Sequence, residues 1–208
     1  MFSINECKTA SFAAHLFPDD YKGVYVDIGA GFPEWYSNSF PFRALGWTVI
    51  AIEPQPKMCA EFAKRGLDVL QFACSDQDKG LVDFEILNNT SGLAGSAFKV
   101  LDDHPQSLIS TIRVKARSLT SLMDEFYPDI ARIDILDIDV EYYELEVLRG
   151  VDFARFQPTV LLIENLPSDT GVWLNPHRDE LYAFYEEIEY EIVGRAGFNE
   201  ILTRRKGV

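Results

Sequence analysis

The feature that most constrains this chain is the run Val24-Tyr-Val-Asp-Ile-Gly-Ala-Gly31, an apolar strand that ends in a carboxylate and two closely spaced glycines. Without a Cβ, Gly29 and Gly31 can adopt positive φ angles and let a ligand approach the backbone closely. A helix beginning directly after them would present free N–H groups to that ligand. The run therefore predicts a nucleotide-type site at the end of the first strand of an open α/β sheet.

A second apolar strand, from Trp47 to Glu53, also ends in a carboxylate. At the tip of a neighbouring parallel strand, Glu53 can accept hydrogen bonds from both hydroxyls of a ribose. A Gly-x-Gly pair alone is weak evidence, because the glycines can simply form a tight turn while Asp27 caps the helix. Glu53 favours the ligand-binding interpretation and predicts that the ligand carries a ribose.

The type of ligand follows from what the glycine run lacks. A dinucleotide fingerprint needs a third glycine beside the pyrophosphate, but Glu34 occupies that position and the bulky Phe32 precedes it. Asp27, at the end of the first strand, also repels phosphate and suits a cation. S-adenosylmethionine, which combines an ammonium, a sulfonium and a ribose, is the cofactor that fits these charges.

Length and composition limit the chain to one core. With 208 residues, 47% of them apolar, we expect an N-terminal helical segment over residues 1–22 and a single domain over residues 23–208. The first segment should present Phe12, Leu16 and Phe17 on one side. A net charge of −14 would repel a polyanion, so nucleic acid is not an expected partner.

The cysteines and the apolar runs bear on location. Cys7, Cys59 and Cys74 are widely spaced within apolar segments, which favours buried thiols in a reducing compartment. No leader-like start and no run long enough to span a membrane is evident. We therefore expect a cytoplasmic protein without membrane partners, and a homodimer remains open.

A third strand is predicted over residues 67–74, followed by Ser75 and Asp76. Ligands of open α/β sheets bind at the carboxyl ends of the strands, so Asp76 could accept a hydrogen bond from an adenine amino group, with Ser75 beside it. An ordinary polar turn explains the same residues equally well. The later runs 81–87 and 112–117 alternate as exposed strands do, the second with basic side chains on its solvated face.

A second group of acidic residues follows a helix that Ser118 can cap. In the strand beginning at Ile133, Asp137, Asp139 and Glu141 recur at period two and should share one face while the chain stays extended. Three like charges so close would raise at least one pKa or recruit a cation. A further buried strand, residues 159–163, ends in Glu164 and Asn165, with polar side chains again at the tip.

In its motifs and their order, the chain resembles the FkbM family of S-adenosylmethionine-dependent methyltransferases. The likeness covers nearly everything from Gly23 onward and rests on Val26-Asp-Ile-Gly-Ala-Gly31, Gly46-Trp47 with Ile52-Glu-Pro54, Ser75-Asp76, Ser118-Leu-Thr-Ser-Leu, Ile138-Asp-Val-Glu141, Leu145-Glu-Val-Leu-Arg-Gly150, Tyr190-Glu-Ile-Val-Gly-Arg195 and Gly197-Phe-Asn199.

The resemblance implies a Rossmann-like class I methyltransferase fold, with seven mostly parallel strands, an antiparallel last strand and helices on both faces. The implied activity is O-methylation of a hydroxyl on a sugar or a small natural product. The cofactor-binding residues are then expected to be Asp27, Gly29, Ala30, Gly31, Glu53, Pro54, Ser75 and Asp76.

Two positions depart from the family pattern. The family usually has a lysine before its Ile-Asp-Val-Glu and a glycine directly after it, whereas this chain has Asp137 and Tyr142. The first exchange reverses a charge beside the site, and the second adds bulk where an acceptor would enter. The nature of the acceptor and of its deprotonation is therefore the part of the family pattern that transfers least directly.

Methyl transfer needs an aligned acceptor and a group that removes its proton. Asp139 is the first candidate for a carboxylate near the methyl, Glu141 the second, and His177 a further candidate base. His177 also lies near the start of a predicted helix, and a role in that helix start is the stronger interpretation.

A divalent cation is a further hypothesis. Asp139 and the Glu164-Asn165 pair end strands that should be neighbours, which resembles the cation site of catechol-type O-methyltransferases and suits Mg²⁺. The stronger interpretation is that Glu164 and Asn165 only face solvent or bind the acceptor.

The turn-rich segment 165–176 is the expected acceptor lid, and simple anchoring of the loop is the alternative role for its Trp173. Two rival functions remain: a nucleotide-binding oxidoreductase of Rossmann type, and a non-catalytic module that keeps the cofactor fold. The first predicts binding of NAD, and the second predicts cofactor binding without turnover.

Overall fold

The computed structural model describes residues 4–35, 37–87, 91–93, 108–165 and 175–205. Within these ranges the helices are α1 (Ile4–Ala14), α2 (Phe40–Ala44), α3 (Pro56–Lys64), α4 (Leu119–Phe126), α5 (Glu144–Arg149), α6 (Phe153–Phe156) and α7 (Arg178–Glu187). The strands are β1 (Val24–Ile28), β2 (Thr48–Ile52), β3 (Ala73–Cys74), β4 (Gly80–Leu87), β5 (Ser91–Leu93), β6 (Leu108–Arg117), β7 (Ile135–Ile138), β8 (Val160–Glu164), β9 (Tyr190–Ala196) and β10 (Asn199–Arg204).

The larger sheet has the strand order β2-β1-β7-β8-β10-β9. Its first four strands are parallel, and β10 lies antiparallel to β8, which confirms the α/β class and the antiparallel last strand. The sheet has six strands rather than the predicted seven. The segment expected as the third strand, residues 67–74, reaches it only through one parallel bridge between Ile52 and Leu70. After that bridge, Ala73 and Cys74 pair with β6 in a different sheet.

This smaller sheet, in the order β3-β6-β4-β5, was not predicted as a separate unit. Its long antiparallel pair, β4 with β6, matches the two strands that the alternating patterns predicted. The basic side chains of β6 meet acidic groups of the same chain, since Arg113 lies 3.2 Å from Asp83 and Arg117 lies 3.2 Å from Asp78. These contacts agree with a solvated strand face.

Alternation along the central strands divides the core of the larger sheet into two layers. Val26 and Leu136 point to one face, where α4, α5 and α7 contribute buried side chains. Tyr25 and Ile135 point to the other, where they pack with α1 and α2. Helices therefore cover both faces, as expected for parallel strands that are buried on each side.

Helix α1 packs on the β9 and β10 edge of the larger sheet, but the predicted apolar side is not the one that it buries. Phe12 and Leu16 are 38% and 41% exposed, whereas Ala10 and Ala13 are buried. Small residues let the helix approach the strands closely, and Thr9 Oγ1 donates to the Ala196 carbonyl at 2.9 Å.

The structure bears on the expected lack of a membrane span and on two of the three cysteines. None of the helices in the described ranges combines the length and apolar character needed to cross a membrane. Cys59 and Cys74 are free thiols, half-buried and buried respectively. The Cys7 side chain and most of the expected lid, residues 166–174, lie outside the described residues.

Candidate active site

The glycine bend after β1 contains two glycines with different structural roles. Both have positive φ angles, 83° at Gly29 and 55° at Gly31. A Cβ on Gly29 would lie 1.8 Å from the carbonyl oxygen of Asp139, so only glycine fits between β1 and the end of β7. A Cβ on Gly31 would meet nothing closer than the Gly29 carbonyl oxygen at 3.9 Å. Gly29 is therefore required by packing, and Gly31 keeps the adjoining surface open.

The helix predicted directly after the bend is not found in residues 32–35 and 37–39, and α2 begins at Phe40. The intervening loop supplies hydrogen-bond donors to buried acids instead. Ser39 Oγ donates to Asp27 Oδ2 at 2.5 Å, and Asn38 Nδ2 donates to Asp137 Oδ2 at 3.2 Å. Buried carboxylates need such donors, and a regular helix would not have placed both side chains there. The expected helical N–H groups are thus not part of the site.

Glu53 points at the glycine bend. Its carboxylate is 3% exposed and accepts the Gly31 N–H through Oε2 at 2.9 Å and the Gln55 N–H through Oε1 at 2.8 Å. Burial raises its pKa to about 7 against these two backbone hydrogen bonds, and the charges of Asp27 and Asp139 raise it further. Pro54, the next residue, is also buried, and α3 starts two residues later at Pro56.

Asp27 and Asp137 form a buried acidic pair on neighbouring strands, where they are register partners. Tyr25 donates its hydroxyl to Asp137 at 2.7 Å. Burial raises the pKa of Asp27 to about 6, and burial together with the charge of Asp27 raises the pKa of Asp137 well above its usual range. The aspartate at the position of the family's lysine is therefore shifted toward its protonated form.

Asp139, Glu141 and Glu164, here termed the acidic cluster, offer carboxylate oxygens within 4.8 Å of one another. Strand β7 ends at Ile138, so the period-two argument stops before Glu141, and Asp137 lies instead with Asp27. Burial and the charge of Asp139 raise the pKa of Glu164 strongly, and a hydrogen bond joins these two carboxyl groups. A hydrogen bond between two carboxyl groups requires a proton on one of them.

Asn165 and His177 make other contacts. Asn165 Nδ2 donates to Glu200 Oε2 at 3.0 Å, and within the described part of the chain its buried Oδ1 has no hydrogen-bond partner. His177 lies at the start of α7, where its Nδ1 is 2.7 Å from Glu180 Oε2. These contacts agree with a helix-start role for His177. Metal ligation by Asn165 and base catalysis by His177 stay predictions.

Ser75 and Asp76 follow β3 and interact with each other. The buried Ser75 Oγ donates to Asp76 Oδ1 at 2.8 Å, and Asp76 lies 2.6 Å from Lys79 Nζ. A Cβ on Gly150 would lie 2.1 Å from the Ser75 carbonyl oxygen, so this turn packs tightly against the end of α5. The contacts are those of a stabilised turn, and adenine recognition by Asp76 stays a prediction.

The family model for the methyltransferase FkbM domain matches residues 27–198. The chain belongs to the FkbM methyltransferase family. The methyltransferase sdnD of Sordaria araneosa is 37% identical over 65 residues, which cover 28% of this chain and 24% of that protein.

Among solved structures, the methyltransferase FkbM of Methylobacillus flagellatus KT is similar to this chain, with a TM-score of 0.51 and 16% sequence identity. The match covers 88% of this chain and 43% of the Methylobacillus chain. At that identity the likeness shows the fold alone. This FkbM-family chain spans less than half the length of either relative.

The FkbM pattern has a physical explanation at Tyr142. Glu141 and Tyr142 adopt left-handed φ angles of 58° and 71°. Glycine takes this conformation without strain, which explains the glycine usual after the Ile-Asp-Val-Glu motif of FkbM proteins. Tyr142 is buried here, and its backbone is strained because a residue with a side chain adopts the left-handed conformation.

Glu144 is a site residue that the sequence reasoning missed. Its side chain is 1% exposed and hydrogen bonded to the turn that carries Asp139 and Glu141. Helix α5 carries charged residues at three of its six positions, so the sequence does not mark Glu144 as the buried one. Burial raises its pKa to about 8 against its backbone hydrogen bonds, and Asp139 and Glu141 add to that shift.

Proposed function

We propose that this chain is an S-adenosylmethionine-dependent methyltransferase that methylates a hydroxyl oxygen on a sugar or a small natural product. The observation that carries the proposal is the contact between Glu53 and Gly31. A buried carboxylate at the tip of β2 meets a glycine bend whose outer side is open, and this combination suits a ribose.

The charges around the bend support a cationic methyl donor. Asp27, Glu53 and Asp139 interact electrostatically with one another, and burial raises the pKa of each. Acids held in a recess of low dielectric favour a cation strongly and oppose a phosphate. When bound, S-adenosylmethionine supplies an electrophilic methyl group on its sulfonium.

The acidic cluster is suited to the proton transfer that O-methylation requires. Asp139 lies beside the bend, hydrogen bonded to Glu164 and with a carboxylate oxygen within 4.8 Å of one on Glu141. We assign Asp139 the role of accepting the proton of the acceptor hydroxyl, with Glu141 as the second candidate and His177 as the third. A proton acceptor positioned in this way contributes about 10²–10⁴-fold to a rate.

A divalent cation is an additional element of the proposal. Three carboxylates with oxygens within 4.8 Å fit an oxygen-ligated ion such as Mg²⁺, for which Glu141 joins Asp139 and Glu164 in place of Asn165. A bound cation would lower the pKa of a coordinated acceptor hydroxyl. It would also compete with protons for the carboxylates of Asp139 and Glu164.

Titration calorimetry with S-adenosylmethionine, S-adenosylhomocysteine and NAD tests the cofactor. Binding of the first two, but not of NAD, supports the proposal, whereas binding of NAD alone would instead indicate an oxidoreductase. Methyl incorporation into a panel of sugars and hydroxylated small molecules tests the reaction. A chain that binds S-adenosylmethionine and methylates no such acceptor would fit the non-catalytic alternative.

A further inference from the structure

We propose that Glu144 is a positioning residue that fixes the turn Asp139–Tyr142 by accepting hydrogen bonds from that turn and from Asn175 at the same time. The part of this inference that concerns ligand affinity rests on the proposed function. The part that concerns the turn itself does not.

The two carboxylate oxygens of Glu144 bind different parts of the chain. Oε1 accepts the N–H of Tyr142 at 3.0 Å and the N–H of Val140 at 3.4 Å. Oε2 accepts from Asn175 Nδ2 at 3.0 Å. Asn175 is itself buried, and its Oδ1 accepts the backbone N–H of His177 at 2.9 Å, which fixes the orientation of its amide. Glu144 therefore links the turn to the start of α7.

The turn needs such support because its backbone is strained. Glu141 and Tyr142 are successive non-glycine residues with positive φ angles, and each such residue costs on the order of 1–3 kcal/mol. A conformation of that cost persists only where surrounding contacts impose it. The hydrogen bonds from Tyr142 and Val140 to one buried carboxylate are contacts of that kind.

A carboxyl group suits this position because both of its oxygens can accept hydrogen bonds, as both do here. An amide at position 144 could still accept from the turn through its oxygen, but its NH₂ group would then face the NH₂ group of Asn175. Burial of a fourth acid beside the acidic cluster is electrostatically unfavourable, as the raised pKa of Glu144 shows, first through burial and then through Asp139 and Glu141. The hydrogen-bond geometry, rather than the charge, therefore explains why an acid suits position 144.

The position of the turn bears directly on the glycine bend. The Asp139 carbonyl oxygen occupies the space where Gly29 lacks a side chain, and the Asp139 N–H donates to the Ile28 carbonyl at 3.0 Å. A shift of the turn would therefore move both the wall of the bend and the carboxylates of Asp139 and Glu141.

The test exchanges the hydrogen-bond donor and acceptor between positions 144 and 175. Glu144→Gln creates the donor–donor conflict, and adding Asn175→Asp removes it, because an aspartate can accept from both the new amide and the His177 N–H. Glu146→Gln, on the same helix, is the matched control for loss of one charge. The readouts are hydrogen exchange of the Tyr142 and Val140 amides and calorimetric affinity for S-adenosylmethionine.

We expect faster exchange at Tyr142 and Val140 in Glu144→Gln and an affinity lower by on the order of tenfold, the usual effect of losing one hydrogen bond to a charged group. The double variant should recover both, and Glu146→Gln should change neither. Exchange in Glu144→Gln that equals the control, or a double variant without recovery, would overturn the inference.

If Glu144→Gln alone does not fold, the double variant decides: recovered folding with protected Tyr142 supports the inference, and continued failure overturns it. Failure of the unsubstituted chain to bind S-adenosylmethionine would refute the proposed function, while the exchange measurement would still decide the role of Glu144.

Discussion

Glu53 Oε2 accepts the backbone N–H of Gly31 at 2.9 Å, so the tip of β2 and the glycine bend after β1 form one continuous surface. The second oxygen of the same carboxylate is held by the Gln55 N–H at 2.8 Å. Because both oxygens are fixed by backbone groups, the carboxylate is oriented before any ligand arrives. A ligand that bonds to it does not have to order the side chain, which reduces the entropic cost of binding.

The first prediction concerns this carboxylate. Glu53→Gln should lower the affinity for S-adenosylmethionine by about 10- to 100-fold, because a hydrogen bond to a charged group contributes about 1.5–3 kcal/mol. Titration calorimetry measures the change, and Glu61→Gln on α3 serves as the control for loss of a glutamate. Equal affinities for the two variants would remove Glu53 from the binding site.

The second prediction concerns pH. Burial raises the pKa of Asp27 to about 6, of Glu53 to about 7 and of Glu144 to about 8, all above the values of 3.8 for aspartate and 4.5 for glutamate. Between the two values each folded-state carboxyl keeps a proton that the unfolded chain has lost. The ligand-free protein should therefore lose stability as pH rises from about 4 to 8, by on the order of 3 kcal/mol for Glu53 alone.

Urea unfolding at pH 5 and pH 8 measures this loss, and Glu53→Gln should reduce it. Affinity for S-adenosylmethionine should change in the opposite direction, rising with pH through about 7 as Glu53 ionises. A ligand-free stability that increases with pH over this range would contradict the prediction.

The third prediction separates the two glycines. Gly29→Ala should destabilise the fold by about 3 kcal/mol or more, since the new Cβ would overlap the Asp139 carbonyl at a positive φ. Gly31→Ala adds only about 1 kcal/mol of backbone strain, because its side is open, but it should weaken binding of S-adenosylmethionine. Thermal unfolding and calorimetry test the pair, and similar stabilities for both variants would count against it.

The fourth prediction uses the left-handed backbone of Tyr142. Both Tyr142→Ala and Tyr142→Gly remove a buried ring, but at φ 71° the glycine variant should be the more stable of the two by about 1 kcal/mol. At the neighbouring Tyr143, where φ is −111°, the order should reverse because glycine only adds chain entropy to the unfolded state. Denaturant midpoints of the four variants measure this, and the same order at both positions would contradict the strain argument.

The parts of the site that local patterns specify could be predicted from the sequence. Continuous apolar runs predicted β1, β2 and β8, and polar residues at strand ends predicted Glu53, Asp139 and Glu164 at one edge. Ser118 caps α4 as expected, accepting the Ser121 N–H at 3.2 Å. These features depend on residues close in the chain or on the geometry common to parallel sheets.

Features that depend on distant partners could not be predicted. The loop after Gly31 replaces a helix because Asp27 and Asp137, two buried acids, need its donors. Residues 67–74 were expected as one strand, but they change sheets after Leu70 because their hydrogen-bond partners lie on β2 and then on β6. The role of Glu144 depends on Asn175, which lies 31 positions further along the chain. Pattern and propensity contain no information on such pairings.

The final prediction concerns a cation at the acidic cluster. A hydrogen bond joins Asp139 and Glu164 and burial raises the pKa of both, so Mg²⁺ would compete with protons for these carboxylates and its affinity should rise with pH. Calorimetry in two buffers with different ionisation heats should detect release of a proton on binding, and Asp139→Asn should abolish that binding. Asn165→Ala should retain it, because Asn165 contacts Glu200 rather than the acidic cluster. If Mg²⁺ gives no heat with the unsubstituted chain, or if Asp139→Asn binds it equally well, the acidic cluster acts without a bound cation, and turnover should then be unaffected by EDTA.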